Sequence, residues 1–376
     1  MTQYMKKNAP LILVGAAIAG IIILVSTILS RTQYKLFHIK LPPGFSITLY
    51  ADNVPDARGL ALGDKGTVFV GSRSEGKVYA LVDRNKDNKA DKVIVIAENL
   101  RIPNGVAFYK GDLYVAELHR IIKFERIEEG LGRRKAKPIE INNKLPKEVM
   151  HGWRYLRAGP DHLLYVSVGS PCDVCKEKDK RYASILRLKP DGTNLEVFAH
   201  GVRQCEGFDW HPKSHAMFFT DNGKESKDMS VPLDELNQAG SKGMHFGYPY
   251  CHAGQAPDGE FGKGKTCAKY SGPVFLFPDR VAPLGVCFYT GKLFPEEYHN
   301  RLFIAEHGVY NKGYRISTVT TAENTARYAY AVFASGWFDK DAAWGRPVDL
   351  LVMPDGALLV SDDRMGAVYR ISYSKK

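Results

Sequence analysis

The sequence is short of several features that would settle its class directly. It has 6 cysteines in 376 residues, too few for a disulfide scaffold but enough for staples in an oxidising compartment. There is no CxxCH, so the chain holds no c-type haem of its own. There is only one CxxC, at Cys172 and Cys175, so a zinc site built from two such pairs is excluded. Lys and Arg number 52 against 41 Asp and Glu, a formal net charge of +11, yet no basic cluster is interleaved with aromatics. The longest basic cluster, around Arg133 to Lys137, reads as a solvated loop. Nucleic-acid binding is set aside on this ground, and a basic cavity for an anionic ligand is the better use of the charge. At 44% hydrophobic and 25% charged residues the composition is ordinary for a globular protein, which excludes wholesale disorder, collagen-like and coiled-coil architectures.

Long hydrophobic runs are absent except for one. Residues 9–30 form an uncharged stretch of 22 residues. As a helix it would span about 33 Å, enough for a bilayer core of about 30 Å. A cleaved signal peptide has a shorter apolar region and a small-x-small exit, whereas this run ends Ile28-Leu29-Ser30-Arg31. The reading is a short tail (1–8), an uncleaved transmembrane anchor (9–30) and a linker (31–42). Lys6 and Lys7 before the span and Arg31, Lys35 and Lys40 after it leave the positive-inside rule undecided. The cysteines favour a translocated domain, single-pass in the cytoplasmic membrane with its bulk on the periplasmic or extracellular side.

After Leu41 the helical signal nearly vanishes. Short runs of Val, Ile, Leu, Phe and Tyr punctuated by Gly and Pro take over, a strand-and-turn pattern that repeats six times. Turns at Asp64-Lys-Gly66, Lys110-Gly-Asp112, Gly159-Pro-Asp161, His211-Pro212 and Pro354-Asp-Gly356 recur at steps of about 45–57 residues, with one larger step carrying an insertion at about 224–280. Each unit is a small antiparallel sheet whose edges cannot bury themselves, a problem that radial repetition solves. Residues 43–376 are therefore expected to form an all-β, six-bladed β-propeller. The last unit stops after three strands, and Phe45-Ser-Ile-Thr-Leu-Tyr50 is expected to supply the fourth.

Propellers place function on loops at one mouth, so the residues between repeats are the candidates. His151 precedes the third unit, Arg203 the fourth and Arg346 the sixth. A lone histidine at a strand entrance is usually structural, and a lone arginine usually belongs to the surface or an ion pair. Three such groups at one phase of a radial repeat should converge on the axis, which lifts the functional reading.

Here the residues resemble a known family. Gly169-Ser-Pro-Cys-Asp-Val-Cys175, Gly207-Phe-Asp-Trp-His-Pro212, Phe219-Thr-Asp-Asn-Gly223, Asp234-Glu-Leu-Asn237, Phe246-Gly-Tyr-Pro-Tyr-Cys251, Ala305-Glu-His-Gly308 and Leu358-Leu-Val-Ser-Asp-Asp363 are similar to motifs of the pyrroloquinoline quinone (PQQ)-dependent sugar dehydrogenases. The resemblance is to the soluble glucose dehydrogenase and sorbosone dehydrogenase type, and it covers residues 43–373. It implies PQQ and calcium as cofactors. His151 would be the general base for the anomeric hydroxyl as hydride leaves for the quinone, a task suited to a neutral imidazole. Arg203 would donate to the quinone oxygen where negative charge develops. Arg346 would bind a PQQ carboxylate. The main-chain carbonyls of Gly223 and Lys224 would hold the PQQ-site calcium, and Glu235 would belong to a separate structural calcium site. Gln204 stands where the family usually has Asn, and Cys205-Glu206 replaces a small neutral pair, so a carboxylate is expected to oppose the reduced, anionic cofactor. Met150 stands where the glucose dehydrogenase branch has an acidic residue. Lys312 and Arg315 are the candidates for that branch's cofactor-binding lysine.

Two further signals are local. Asp83, Asn85, Asp87 and Asp91 place oxygen side chains as in the start of an EF-hand loop, with Asn88 in place of the usual Gly. A structural calcium there is favoured over a merely polar hairpin. Cys172 and Cys175 are expected to form a short structural disulfide, and Cys251 and Cys267 to clip the insertion. Cys205 and Cys287 could form a third bridge or remain two free thiols.

These observations imply a membrane-anchored PQQ-dependent dehydrogenase that oxidises an aldose or related aldehyde sugar and passes electrons to a quinone or cytochrome. A non-catalytic propeller binding glycans or envelope partners is the alternative. A calcium-dependent lactonase fits the oxygen-rich loops but not the His151, Arg203 and Arg346 set.

Overall fold

The computed structural model describes residues 34–133, 136–224, 234–321 and 328–375. The apolar stretch 9–30 lies outside them; among the described residues, no helix is long and apolar enough to cross a membrane. The chain forms six four-stranded antiparallel sheets arranged as a six-bladed propeller. Blade one runs Leu60–Leu62, Val68–Val70, Val78–Val82, Lys92–Ala97, and blade two Gly105–Tyr109, Asp112–Ala116, Ile121–Phe124, Ile139–Asn142. Blade three runs Leu156–Ala158, Leu164–Val168, Ser184–Leu188, Glu196–His200, and blade four Phe208–Trp210, Met217–Asp221, Glu235–Ala239, Phe275–Leu276. Blade five runs Pro283–Phe288, Leu302–Glu306, Arg315–Val319, Tyr330–Ser335.

Blade six takes only Pro347–Val352, Leu358–Asp362 and Ala367–Tyr373 from the C-terminal end. Its fourth strand is Phe45–Ala51, paired antiparallel with Phe45 opposite Tyr373 and Ile47 opposite Ile371. The ring is closed by the segment the sequence reading assigned to it, and closure gives Ala367–Tyr373 a partner on the side that would otherwise be an open edge. The insertion supplies the outer strand of blade four, Phe275–Leu276, and a small hairpin of Cys251–His252 with Ala256–Pro257.

The second strand of blades three to six is buried along its whole length. Such a strand is covered on both faces by neighbouring blades, which is why these segments read as continuous apolar runs and not as alternating ones. The outermost strand of blade one, Lys92–Ala97, by contrast meets solvent along much of its length. The core lies between blades. Phe218 and Leu236 of blade four pack with Val286 and Ile304 of blade five, and Phe303 and Phe333 of blade five with Leu350 and Val360 of blade six. Glycine is required where the innermost strands approach one another. A Cβ on Gly105 would lie 2.2 Å from the Arg154 carbonyl of the next blade, and one on Gly207 would lie 2.2 Å from that of Leu284.

Polar groups cross the axis as well. Tyr155 of blade three reaches Asp349 of blade six at 3.3 Å, and the Arg157 guanidinium donates to the carbonyls of Phe208 and Val286. The channel is therefore filled at this level, and a ligand must bind at a mouth. Cys172–Cys175 and Cys251–Cys267 are disulfide-bonded, while Cys205 and Cys287 are free, buried thiols.

Candidate active site

In a four-stranded blade the exit of the second strand and the entrance to the next blade lie at the same end of the sheet. One cavity of about 230 Å³ is built from those two sets of loops. Arg58, His151, Trp153, Arg203, Gln204, Glu206 and Arg280 come from blade entrances, and Arg73, Asn222, Gly223 and His307 from second-strand exits. A larger hollow of about 990 Å³ lies by the outer strands of blades one and two, among Ile94, Ile96, Phe124, Ile127 and Leu131. It holds no comparable set of reactive side chains.

His151 sits in the left-handed region, φ 49°, and is buried. Gly169 makes room for it, since a Cβ there would come within 2.5 Å of the histidine's own. The Ser170 carbonyl lies 2.8 Å from Nδ1 and can only accept, so the ring proton sits on Nδ1 and Nε2 carries the lone pair. Burial, and then the charge of Arg203, push the imidazole down to about 4. At neutral pH His151 is a neutral ring with one basic nitrogen.

Arg203 is held on several sides. Its Nε donates to the Asp173 carbonyl at 2.9 Å, one Nη to the Asn222 carbonyl at 3.0 Å, and the other to the Asp173 carboxylate. Asp173 lies between the two cysteines of the short disulfide, so that closed loop presents both acceptors. Asp221 takes the backbone N–H of Arg203 at 2.8 Å and of Gln204 at 2.6 Å. Burial pushes its carboxyl up to about 7 despite those donors.

The carboxylate expected to oppose an anionic ligand is already neutralised. Glu206 forms a buried ion pair with Arg58 and accepts from Gln204 Nε2 at 2.6 Å. Arg58 also donates to Asp363 at 2.8 Å and to the Asn104 side chain at 2.6 Å. Asp363 lies 3.0 Å from His307 Nε2 and 3.0 Å from Arg346 Nε. Burial alone would raise the Asp363 carboxyl; the His307 hydrogen bond and the charges of Arg58 and Arg346 hold it well below the usual carboxylate range.

The sequence-predicted residues thus divide. His151, Arg203, Gln204 and Gly223 line the cavity. Arg346 does not; it pairs with the carboxylate that Arg58 and His307 share. Lys312 pairs with Asp279 at 3.3 Å and Arg315 with Glu306, and neither lines the cavity. Lys224 directs its ammonium to Asp258 at 3.3 Å.

The calcium expectations fare differently from the fold. The carbonyls of Gly223 and Lys224, expected to bind calcium, instead accept from the two terminal nitrogens of Arg280 at 3.0 and 2.6 Å. Glu235 accepts from Ala253 N–H at 2.7 Å and Asn237 Nδ2 at 3.0 Å; burial and neighbouring Asp221 push it up to about 8. In the 83–91 loop the side-chain oxygens accept from the loop's own N–H groups. Asp83 accepts from Lys86 and Asn88, Asp91 from Arg84 and Asn85, Asn85 from Asp87, and Asp87 from Lys89. Among the described residues no group of three or more His, Cys, Asp or Glu is set to hold a metal ion.

Sequence reasoning assigned no role to Arg58, Arg73, Trp153, Asn222, Asp234, Arg280 or His307. Repeat phase could have found some of them. Arg58 precedes the first strand of blade one as Arg203 precedes that of blade four, and Asn222 and His307 both follow a second strand.

Residues 31–368 match a family described as a domain of unknown function, DUF7133. The chain belongs to that family. An uncharacterized protein of Borreliella burgdorferi is 33% identical over 373 residues, covering 94% of this chain and 96% of that one. Aldose sugar dehydrogenase YliI of Escherichia coli is 28% identical over 121 residues, 31% of this chain and 30% of its own. Among solved structures, the holo form of the PQQ domain of pyranose dehydrogenase from Coprinopsis cinerea superposes with a TM-score of 0.74 at 17% identity, over 89% of this chain and 97% of that one. The DUF7133 propeller therefore has the fold of a PQQ-binding domain, and the resemblance read from the motifs holds at the level of architecture.

Proposed function

We propose that this protein is a membrane-anchored PQQ-dependent dehydrogenase that oxidises an aldose or related aldehyde sugar. The observation that carries the reading is the composition of the cavity. One neutral imidazole with a basic nitrogen faces the same space as Arg58, Arg73, Arg203 and Arg280. Three buried polar atoms there lack any partner: Trp153 Nε1, Asn222 Oδ1 and Arg280 Nε. Unpartnered buried donors and acceptors are costly, about 1–3 kcal/mol each, and a polar ligand that pairs them removes the cost. A planar, multiply charged acid such as PQQ fits this set, with Arg73 stacked 4.5 Å over the Trp153 ring as a flat boundary.

When bound, PQQ would supply the two-electron acceptor for sugar oxidation. His151 Nε2 takes the proton of the anomeric hydroxyl, and Ser170 fixes the tautomer that leaves this nitrogen basic. Arg203, already oriented by Asp173 and Asn222, provides fixed positive charge where negative charge develops. Arg58 neutralises Glu206, so the cavity keeps a cationic excess. Arg346 reinforces that arrangement through Asp363.

The same reading places the chain in the cytoplasmic membrane through residues 9–30, with the propeller on the periplasmic or extracellular side and a quinone or cytochrome as electron acceptor. Two disulfides support an oxidising compartment. The test is to purify the full chain in detergent, titrate PQQ by calorimetry, and supply a panel of aldoses with a reducible dye. PQQ-dependent dye reduction is expected, and its absence together with no PQQ binding would favour the non-catalytic binding propeller.

A further inference from the structure

We propose that the seat which the resemblance gives to the cofactor-site calcium is filled in this chain by the guanidinium of Arg280, so that the cavity binds its anionic ligand without a divalent cation. This rests on the functional reading above and deepens it.

The geometry is specific. Gly223 and Lys224 turn adjacent carbonyls towards one group, and that group is Arg280, 57 and 56 positions along the chain, at 3.0 and 2.6 Å. A calcium ion needs its oxygen ligands at about 2.3–2.6 Å, so an ion held by both carbonyls would occupy the space of the guanidinium. The two cations are mutually exclusive there.

Asp234 makes the arrangement rigid. One of its oxygens takes the N–H of Gly223 at 2.9 Å, and the other takes those of Val281 and Ala282 at 2.7 and 2.9 Å. The loop bearing the carbonyls and the residue following Arg280 are thereby stapled to one buried carboxylate. The same bonds give each Asp234 oxygen at least one backbone donor. Asp221 is likewise engaged by the N–H groups of Arg203 and Gln204. Calcium takes 6–8 oxygen ligands, several usually anionic; here the two carbonyls already hold a cation, both nearby carboxylates are held by backbone N–H groups, and the oxygen without a partner is the neutral amide of Asn222, beside Arg203. That set does not suit the ion.

Arg280 is suited to the ligand. Among the described residues it makes no ion pair, whereas Arg58 and Arg203 each pair with a carboxylate. Its Nε has no hydrogen-bond partner. A permanently charged, planar donor with its terminal nitrogens fixed on two carbonyls supplies positive charge where an anion would otherwise need a metal. Asp234 is a positioning residue, acting on the ligand through Arg280.

The experiment is PQQ binding to the full-length protein in detergent, after exhaustive chelation with EGTA and again in excess calcium, read by calorimetry. Equal affinity in the two conditions is expected. Arg280→Ala should weaken binding in EGTA by about 10–100-fold, the weight of a hydrogen bond to a charged group. Calcium should not restore that loss, because the two carbonyls freed by the substitution are neutral and add no anionic oxygen to the set. Arg280→Lys, which keeps the charge, should lose less than Arg280→Ala, and thermal melting of each variant shows that it is folded. Binding to the unaltered protein that requires calcium would overturn this proposal and leave the functional reading intact. No PQQ binding in either condition would overturn both.

Discussion

Arg58 and Asp363 lie 305 positions apart and meet at 2.8 Å, one entering the first blade and the other leaving the second strand of the sixth. This contact crosses the seam where the ring closes, and through Glu206, His307 and Arg346 it ties four blades into one buried charge network. The network fixes the cationic wall of the cavity, so its integrity bears on stability and on ligand binding together.

Removing one member of its central pair should be worse than removing both. Glu206→Gln or Arg58→Met leaves a buried charge uncompensated and is expected to cost about 3–5 kcal/mol. Asp363 still faces Arg58 in the first variant, so Glu206→Gln should be the milder. The double variant Arg58→Met with Glu206→Met should recover part of the loss, which a double-mutant cycle in urea will measure. Additive losses would show that the two side chains are not coupled.

Catalysis should survive into acid further than an ordinary histidine permits. His151 is neutral above about 4, so the acid limb of kcat/KM should fall near that value and not near 6.5. Arg203→Met removes one cause of the depression, and the limb should move up in pH. His151→Ala should lower turnover by about 10²–10⁴-fold at pH 7. The same shift acts on stability. A histidine whose folded value is depressed binds its proton first in the unfolded chain, so stability is lost as pH falls from about 6.5 to about 4. His245, also pushed down to about 4 by burial and His200, adds to that loss.

The opposite slope is expected on the alkaline side. Asp221 and Glu235 face each other on paired strands, and burial raises them to about 7 and about 8. A carboxyl with a raised folded value stabilises below its unfolded range and loses that contribution as pH climbs through the folded value. Melting temperature should therefore drop as pH rises from about 4 to about 8, most visibly above about 6.5, where the histidine contribution is complete. Glu235→Gln, whose amide can donate to the unpartnered Asn237 Oδ1 once that side chain turns, should flatten the drop. An unchanged profile in thermal melts across this range would remove the proton from the account of this pair.

Much of the scaffold is legible along the chain because it is locally encoded. Gly-containing turns, apolar strands and their spacing give six blades, and a last unit short of one strand tells which segment must return to close the ring. His151 and Arg203 were readable for a related reason: blade entrances recur at one phase of the repeat, and in a propeller that phase becomes one rim. Arg346 shares the phase but not the destination. Its side chain meets Asp363, and no pattern at residue 346 announces a carboxylate arriving from the next hairpin.

Arg280 marks the boundary most clearly. It stands at the entrance of blade five, where the repeat phase points to the rim, but its meaning depends on two carbonyls more than fifty residues earlier. Backbone oxygens carry no residue identity, so whether they receive an ion or a guanidinium is invisible in the letters. The sequence by itself determined the blade count, the closing strand and the rim on which chemistry gathers, since these follow from local strand and turn preferences repeated in register. Only the tertiary structure decided which charges neutralise one another, which oxygens remain free and which cation stands at the cavity wall, because those depend on distances that the ring closure sets.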